Sequence, residues 1–355
     1  MLTSENRQRR SHTDGMMAGM ELPSFELLDR ETCYRAFQSH DARFDGRVFV
    51  GVTSTGIYCR PICPARAPKF ENCRYYASAA AAQEAGFRPC LRCRPEIAPE
   101  LAFWRGTSNT VSRALKMIAE GALDESEAGV EAFAEKLGVG GRQLRRLFQQ
   151  HLGASPIAVA QTRRVLFAKH LIHDTRLPMT EVALSAGFGS VRRFNETFAK
   201  LFGRPPGTLR RKGNAPAQAA GDAVTLRLSY RPPYDWPGML EALAASADKT
   251  VERVEDGVWR RAIELDGKKG SVAVSHLPER NSVAVTIHFP EVRALPAIVA
   301  RVKRVFDLGA DIATIGMHLA RDPKLAPLIA RRPGLRAPGD WERETMTLGD
   351  SGPAA

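Results

Sequence analysis

No run among the 355 residues approaches the roughly 20 consecutive apolar positions that a membrane-spanning helix needs, which excludes an integral membrane protein. The first residues, Met1 to Met20, lack the apolar core of a secretory signal, so a reducing, cytoplasmic setting is expected. Six cysteines in so long a chain are too few for a disulfide framework; in that setting, clustered cysteines serve metals or catalysis. Acidic residues are scarce in one place. Residues 141–212 carry 14 Lys and Arg against three acids, Asp174, Glu181 and Glu196. Elsewhere charge nearly balances, at 18 against 18 in residues 1–140 and 19 against 18 in residues 213–355. The formal charge of +12 therefore sits almost wholly in one ordered-looking stretch, which points to a polyanionic partner. A membrane-binding polybasic segment would be shorter or confined to one helix. With 44% hydrophobic residues, the chain can bury real cores, and its length suggests two or three domains.

Composition shifts divide the chain. Residues 1–22 are a polar leader, expected to be disordered, in which Met16, Met17 and Met20 offer alternative starts. A cysteine-containing unit spans 23–98, with short alternating segments such as Arg47-Val48-Phe49-Val50-Gly51-Val52, and a helical unit spans 105–212. Small, polar and Pro-containing residues at 213–222 read as a flexible linker. A strand-then-helix unit covers 223–340, and residues 341–355 form a polar tail, also expected to be disordered. The fold class is thus multidomain: a small α+β cysteine-containing domain, an all-α domain and a C-terminal α+β domain.

Cys59-x3-Cys63, then 26 residues, then Cys90-x2-Cys93 is the spacing of two close pairs that bring four thiolates to one tetrahedral zinc. Cys33 and Cys73 fall outside it and read as buried apolar thiols. On spacing alone, such a site would be an inert staple. The surrounding residues say more: Phe44-Asp-Gly-Arg47, then Phe49-Val-Gly-Val-Thr53-Ser-Thr-Gly56-Ile-Tyr58-Cys59-Arg60-Pro61-Ile-Cys63-Pro64, and Ala85-Gly-Phe87-Arg88-Pro89-Cys90-Leu-Arg92-Cys93. Together they closely resemble the Ada-type methylphosphotriester repair domain, over about residues 25–98. The resemblance implies that Cys59 is both ligand and methyl acceptor, with Cys63, Cys90 and Cys93 completing a four-cysteine zinc site. It also implies a cysteine S-methyltransferase consumed once per lesion. Between residues 59 and 94, seven basic side chains outnumber two acidic ones, Glu71 and Glu84. Arg60, Arg66, Lys69 and Arg92 among them are expected to contact DNA, and loss of one negative charge on methylation is expected to strengthen that contact.

The basic middle repeats itself. Gly138-Val-Gly-Gly-Arg-Gln-Leu144-Arg-Arg-Leu-Phe148, with Leu152-Gly153 and Pro156, recurs as Gly187-Phe-Gly-Ser-Val-Arg-Arg-Phe194-Asn-Glu-Thr-Phe198, with Phe202-Gly203 and Pro206. Each copy reads as helix, Gly-containing turn and second helix, and Ser155 to Ile172 reads as a joining helix. Leu144, Phe148 and Leu152 share one helical face. The pattern resembles the AraC-family DNA-binding domain. That resemblance implies double-stranded DNA as partner, RNA polymerase as a further one, and Arg142, Gln143, Arg145, Arg146, Ser190, Arg192, Arg193 and Asn195 as the DNA-facing set.

Beyond the linker, Val224–Tyr230, Val258–Leu265, Gly270–Ser275 and Ser282–Phe289 read as strands, with helices over Trp236–Ala247 and Arg293–Phe306. Tyr230-Arg-Pro-Pro-Tyr-Asp-Trp236, Phe306-Asp-Leu308 and Arg332-Pro-Gly-Leu-Arg-Ala-Pro-Gly339 resemble the amino-terminal domain of AlkA-type 3-methyladenine glycosylases, which implies a TATA-binding-protein-like α+β fold. The base-excising domain of that family follows this point, and only 16 residues follow Gly339. Glycosylase activity is therefore the disfavoured alternative, and an accessory role is expected. The sequence holds no Pro-Cys-His-Arg acceptor motif, so direct guanine dealkylation is not expected. A transcription factor with an inert zinc site is the remaining reading, separable by mutating Cys59.

Overall fold

A computed structural model describes residues 29–98, 109–124, 129–210 and 223–342. The expected leader, the linker at 213–222 and all but the first two residues of the expected tail lie outside them. Among the described residues, no helix is long and apolar enough to cross a membrane.

The first unit opens with α1 (Arg30–Gln38), whose N-cap Asp29 accepts from the Thr32 amide. A four-stranded sheet of order β3-β1-β2-β4 follows, built from β1 (Phe49–Val52), β2 (Ile57–Cys59), β3 (Cys73–Tyr76) and β4 (Arg88–Pro89). The short helix α2 (Ala79–Glu84) is N-capped by Ser78. It buries Ala80, Ala81 and Ala82, small side chains that let it lie close to its neighbours. Strands β1, β2 and β3 are antiparallel, whereas β4 runs parallel to β2 with Tyr58 opposite Pro89.

The second unit is α3 (Asn109–Ala119), α4 (Gly129–Lys136), α5 (Gly141–Leu152), α6 (Pro156–Asp174), α7 (Met179–Ser185) and α8 (Val191–Phe202). The repeat seen in the sequence is a repeat of structure. Helices α5 and α8 are each 12 residues long and end on a left-handed glycine, Gly153 at φ 64° and Gly203 at φ 66°. A side chain there would strain the cap. Leu144, Phe148 and Leu152 are buried in the first copy, and Phe194 and Phe198 in the second. The joining helix α6 starts at Pro156 under a Ser155 cap and runs two residues beyond Ile172.

The third unit is an antiparallel sheet of order β5-β9-β8-β7-β6, formed by β5 (Ala223–Ser229), β6 (Glu252–Glu255), β7 (Val258–Leu265), β8 (Lys268–Leu277) and β9 (Ser282–His288). Helices α9 (Trp236–Ser246) and α10 (Leu295–Val305) send Met239, Leu243, Ile298 and Val302 into the core with Val272, Val274, Val283 and Val285. Two short helices, α11 (Ile312–Leu319) and α12 (Ala326–Arg331), have no buried residue. Two features depart from expectation. The expected tail begins too early, because Trp341 is 2% exposed, lies against Trp259, and its carbonyl accepts from Arg304. And the second helix-turn-helix shares one contiguous apolar cluster with the third unit, from Val165 through Phe198 to Val305 and Trp341.

Candidate functional site

Strand pairing creates the thiol cluster. Cys59 ends β2, and the Cys90 amide donates to the Tyr58 carbonyl just after β4, so the parallel pair sets these two cysteines side by side. A tight turn, in which the Cys63 amide donates to the Arg60 carbonyl at 3.1 Å, folds Cys63 back. Cys93 follows Cys90 in a similar loop. The four Sγ atoms all lie within 4.8 Å of one another. Thiolates around a tetrahedral zinc, each about 2.3 Å from the ion, stand roughly 3.8 Å apart, so the cluster has the dimensions of a zinc site. Backbone amides orient the sulfurs: Arg60 donates to Cys93 Sγ at 3.4 Å and Arg92 to Cys90 Sγ at 3.3 Å. Hydrogen bonds with Cys59, Cys63 and Cys93 pull the Cys90 thiol down, and the contacts with Cys63, Cys90 and Cys93 push Cys59 up. Four sulfurs this close cannot all ionise without a cation between them.

Exposure does not single out one sulfur. Cys63 is fully buried, and Cys59, Cys90 and Cys93 are each 6% exposed. Cys33 and Cys73 are buried apart from the cluster, and burial pushes the Cys33 thiol up to about 11.

The structure corrects one expected DNA contact. Arg60 is 4% exposed. Its Nε donates to Asp45 Oδ1 at 2.8 Å, its Nη2 pairs with the other Asp45 oxygen, and its Nη1 donates to the Cys93 carbonyl at 3.0 Å. A guanidinium buried with that set of partners, its charge matched by Asp45, braces the cysteine loop and is not an exposed cation offered to a phosphate. Arg66, Lys69 and Arg92 are exposed.

On α5, Arg142, Gln143, Arg145 and Arg146 are all exposed, as are Arg192, Arg193 and Asn195 on α8. Arg145 pairs with Glu131 at 2.6 Å and Arg192 with Glu196 at 2.8 Å. At such exposure these pairs are weak and exchangeable. Ser190 has a structural duty: it caps α8, accepting from the Arg193 amide at 3.1 Å.

A buried charge network escaped the sequence reading. Lys169 of α6 is fully buried, donates to the Cys90 carbonyl at 2.9 Å and pairs with buried Glu96. Arg94 reaches Glu96 at 2.9 Å and Asp174 at 2.7 Å, and His170 meets Asp174 at 3.0 Å. Burial pushes the Glu96 carboxyl up, but Lys169 and Arg94 outweigh it and bring it down to about 2. The network ties the cysteine loop to the helix between the two helix-turn-helix copies. A lone lysine on the apolar face of α6, four residues from Val165, was its only signal in the sequence.

Known families divide the chain as its elements do. Residues 32–96 match the model of the metal binding domain of Ada, residues 133–212 a helix-turn-helix domain, and residues 225–342 the AlkA N-terminal domain. The probable bifunctional transcriptional activator/DNA repair enzyme AlkA of Mycobacterium tuberculosis is 42% identical over 313 residues, which cover 87% of this chain and 62% of that protein. The bifunctional transcriptional activator/DNA repair enzyme Ada of Escherichia coli is 32% identical over 155 residues, or 44% of this chain and 42% of its own length. DNA-3-methyladenine glycosylase 2 of E. coli is 32% identical over 112 residues, covering 32% of this chain and 38% of that enzyme. The chain thus spans less than two thirds of the mycobacterial relative. With an Ada metal-binding match over this segment, the four converging sulfurs of Cys59, Cys63, Cys90 and Cys93 form a cluster suited to one zinc ion.

Proposed function

We propose that this chain, which carries an Ada-type zinc domain, an AraC-type helix-turn-helix region and an AlkA N-terminal domain in tandem, repairs alkylated DNA and regulates transcription in response. The observation that carries the reading is the four-cysteine cluster within the Ada-matching segment, with Cys59 at the position of the family's acceptor. Zinc, when bound there, supplies the charge that keeps all four sulfurs as thiolates at neutral pH, leaving a net 2− on the set.

Cys59 Sγ attacks the methyl carbon of a methylphosphotriester. A C–S bond forms, the C–O bond breaks, and its electron pair stays on the phosphate oxygen, which leaves as an ordinary phosphodiester. The sulfur becomes a thioether, whose C–S bond is stable to hydrolysis, so each molecule acts once. Arg60 and Asp45 hold the loop in position, while Arg66, Lys69 and Arg92 offer exposed charge to the neighbouring DNA backbone. Methylation removes one negative charge beside these cations, which favours duplex DNA. Arg142, Gln143, Arg145 and Arg146 on α5, and Arg192, Arg193 and Asn195 on α8, then read promoter DNA in successive major grooves. RNA polymerase recruitment in the cytoplasm completes the regulatory part of the proposal.

The test is peptide mass mapping of the zinc-loaded chain after incubation with duplex carrying a methylphosphotriester. One methyl group on the Cys59 peptide, and none in Cys59→Ser, supports the reading. An unmodified Cys59 would return the protein to a transcription factor with an inert metal site.

A further inference from the structure

We propose that the cleft between the cysteine loop and strand β5 binds a phosphodiester of the duplex DNA backbone, held by Arg227 and Arg280 of the AlkA-like unit. This inference rests on the DNA-binding reading above and gives the third unit a part in it.

The cleft encloses about 220 Å³, room for several waters at about 30 Å³ each. One wall is the cysteine loop, with Arg60 and Ile62; the opposite wall is β5 and the β8–β9 turn. Strand alternation explains the second wall. Leu226 and Leu228 point into the apolar core, so Arg227 and Ser229 must face the other way, toward the first unit.

Four arginines line this space, and their partners sort them. Arg60 is held by Asp45, and Arg231 is held by Asp311 at 3.1 Å and by the Asp45 carbonyl. Arg227 makes no side-chain hydrogen bond or ion pair among the described residues; its backbone amide alone is engaged, by Asp174. The carboxylates nearest to it, Asp174 and Glu96, are already committed to Arg94, His170 and Lys169. Among the described residues, Arg280 pairs only with exposed Glu279, at 3.8 Å. Asp45, the one acid lining the cleft, is spent on Arg60.

Two guanidiniums without a close buried counter-charge therefore line one cleft, Arg227 half-buried and Arg280 mostly exposed. Burial lowers the Arg227 guanidinium from its ordinary value, and the charges of Arg94 and Arg280 lower it further, against partial relief from Asp174 and Glu96. Such a pair presents planar forks of N–H donors that suit an acceptor-only tetrahedral anion. The DNA backbone is the source we commit to, because the opposite wall is the loop that carries the methyl acceptor. A duplex presented to Cys59 brings neighbouring phosphates to this cleft.

The experiment uses the full zinc-loaded chain and a short unmodified duplex, with affinity measured by fluorescence anisotropy across a salt series. Wild type is compared with Arg227→Gln/Arg280→Gln and with Arg260→Gln, an exposed control on β7. The proposal expects the double variant to lower the slope of log affinity against log salt by about 0.9 for each phosphate that is no longer neutralised. It expects a weakening of roughly three- to tenfold at fixed salt, with zinc content and circular dichroism unchanged and the control like wild type. An unchanged slope in a folded double variant would overturn it, while methylation of Cys59 in that same variant would leave the repair reading standing. If inorganic phosphate raises the melting temperature of wild type but not of the double variant, and the slope is unchanged, the cleft serves a free anion and the proposal fails. A wild type that binds no duplex would sink both.

Discussion

At the scale of single residues, the cysteine loop is held by charges the solvent scarcely reaches. Arg60 and Asp45 are each 4% exposed, and removing one partner leaves the other uncompensated. Asp45→Ala is expected to cost about 3–5 kcal/mol, measured by urea unfolding, and to speed zinc loss to a chelator. A second residue gives a pH signature. Asp307 sits in left-handed backbone at φ 45°, a conformation asparagine tolerates well, and burial raises its carboxyl to about 6 against the partial relief of Arg336. Because the folded value exceeds the unfolded 3.8, the native state binds more protons in between. Stability then falls as pH rises from about 4 through about 6. Asp307→Asn should therefore be neutral at pH 3.5 and stabilising by up to about 3 kcal/mol at pH 8, read as a melting shift that grows with pH. The zinc ligands were legible in the sequence because metal spacing is local. The role of Arg60 was not, because its partner lies 15 positions away and exposure is a property of the fold.

At the scale of elements, α5 and α8 repeat one burial pattern. Leu144 and Phe148 in α5 answer Phe194 and Phe198 in α8, so the helical period was enough to find them. Phe198→Ala should cost about 3–5 kcal/mol through the cavity it opens, checked by thermal unfolding. Strands with strict alternation, such as β7 and β9, were legible for the same reason. Edge strand β6, Glu252-Arg-Val-Glu255, was not, because alternating charges on a sheet edge resemble a loop. Nor were α11 and α12, which are short and have no fully buried residue to mark a core-facing side. Between elements, the Lys169–Glu96 pair invites a double-mutant cycle. Lys169→Met alone strands Glu96 and is expected to cost about 3–5 kcal/mol, whereas Lys169→Met with Glu96→Leu should recover much of the loss. If the two changes simply add in urea unfolding, the pair is not an energetic unit.

At the scale of the whole molecule, three units that the sequence divides by composition pack as one body. Ser78 Oγ donates to the Leu152 carbonyl at 2.7 Å, Arg47 reaches Thr314 at 2.8 Å, and Lys169 bridges the cysteine loop to α6. None of these contacts has a local signature, which is why the linker and the charge shifts were visible in the sequence and the docking was not. Glu96 makes the docking acid-sensitive. Its folded carboxyl lies at about 2, below the ordinary 4.5, so its contribution is complete above about pH 4.5 and fades as pH falls toward 2. The formal +12 also acquires a place at this scale: nearly all of it lies in residues 141–212, where α5 and α8 expose Arg142, Arg145, Arg146, Arg192 and Arg193.

The central claim is that Cys59 is a methyl sink used once, and stoichiometry tests it most directly. Zinc-loaded chain is mixed with excess duplex bearing a radiolabelled methylphosphotriester, and protein-bound label is counted over time. The account predicts a plateau at one methyl group per zinc-loaded chain, absent in Cys59→Ser. Label that never appears on the protein, or repaired duplex that keeps accumulating beyond one per chain, would contradict it.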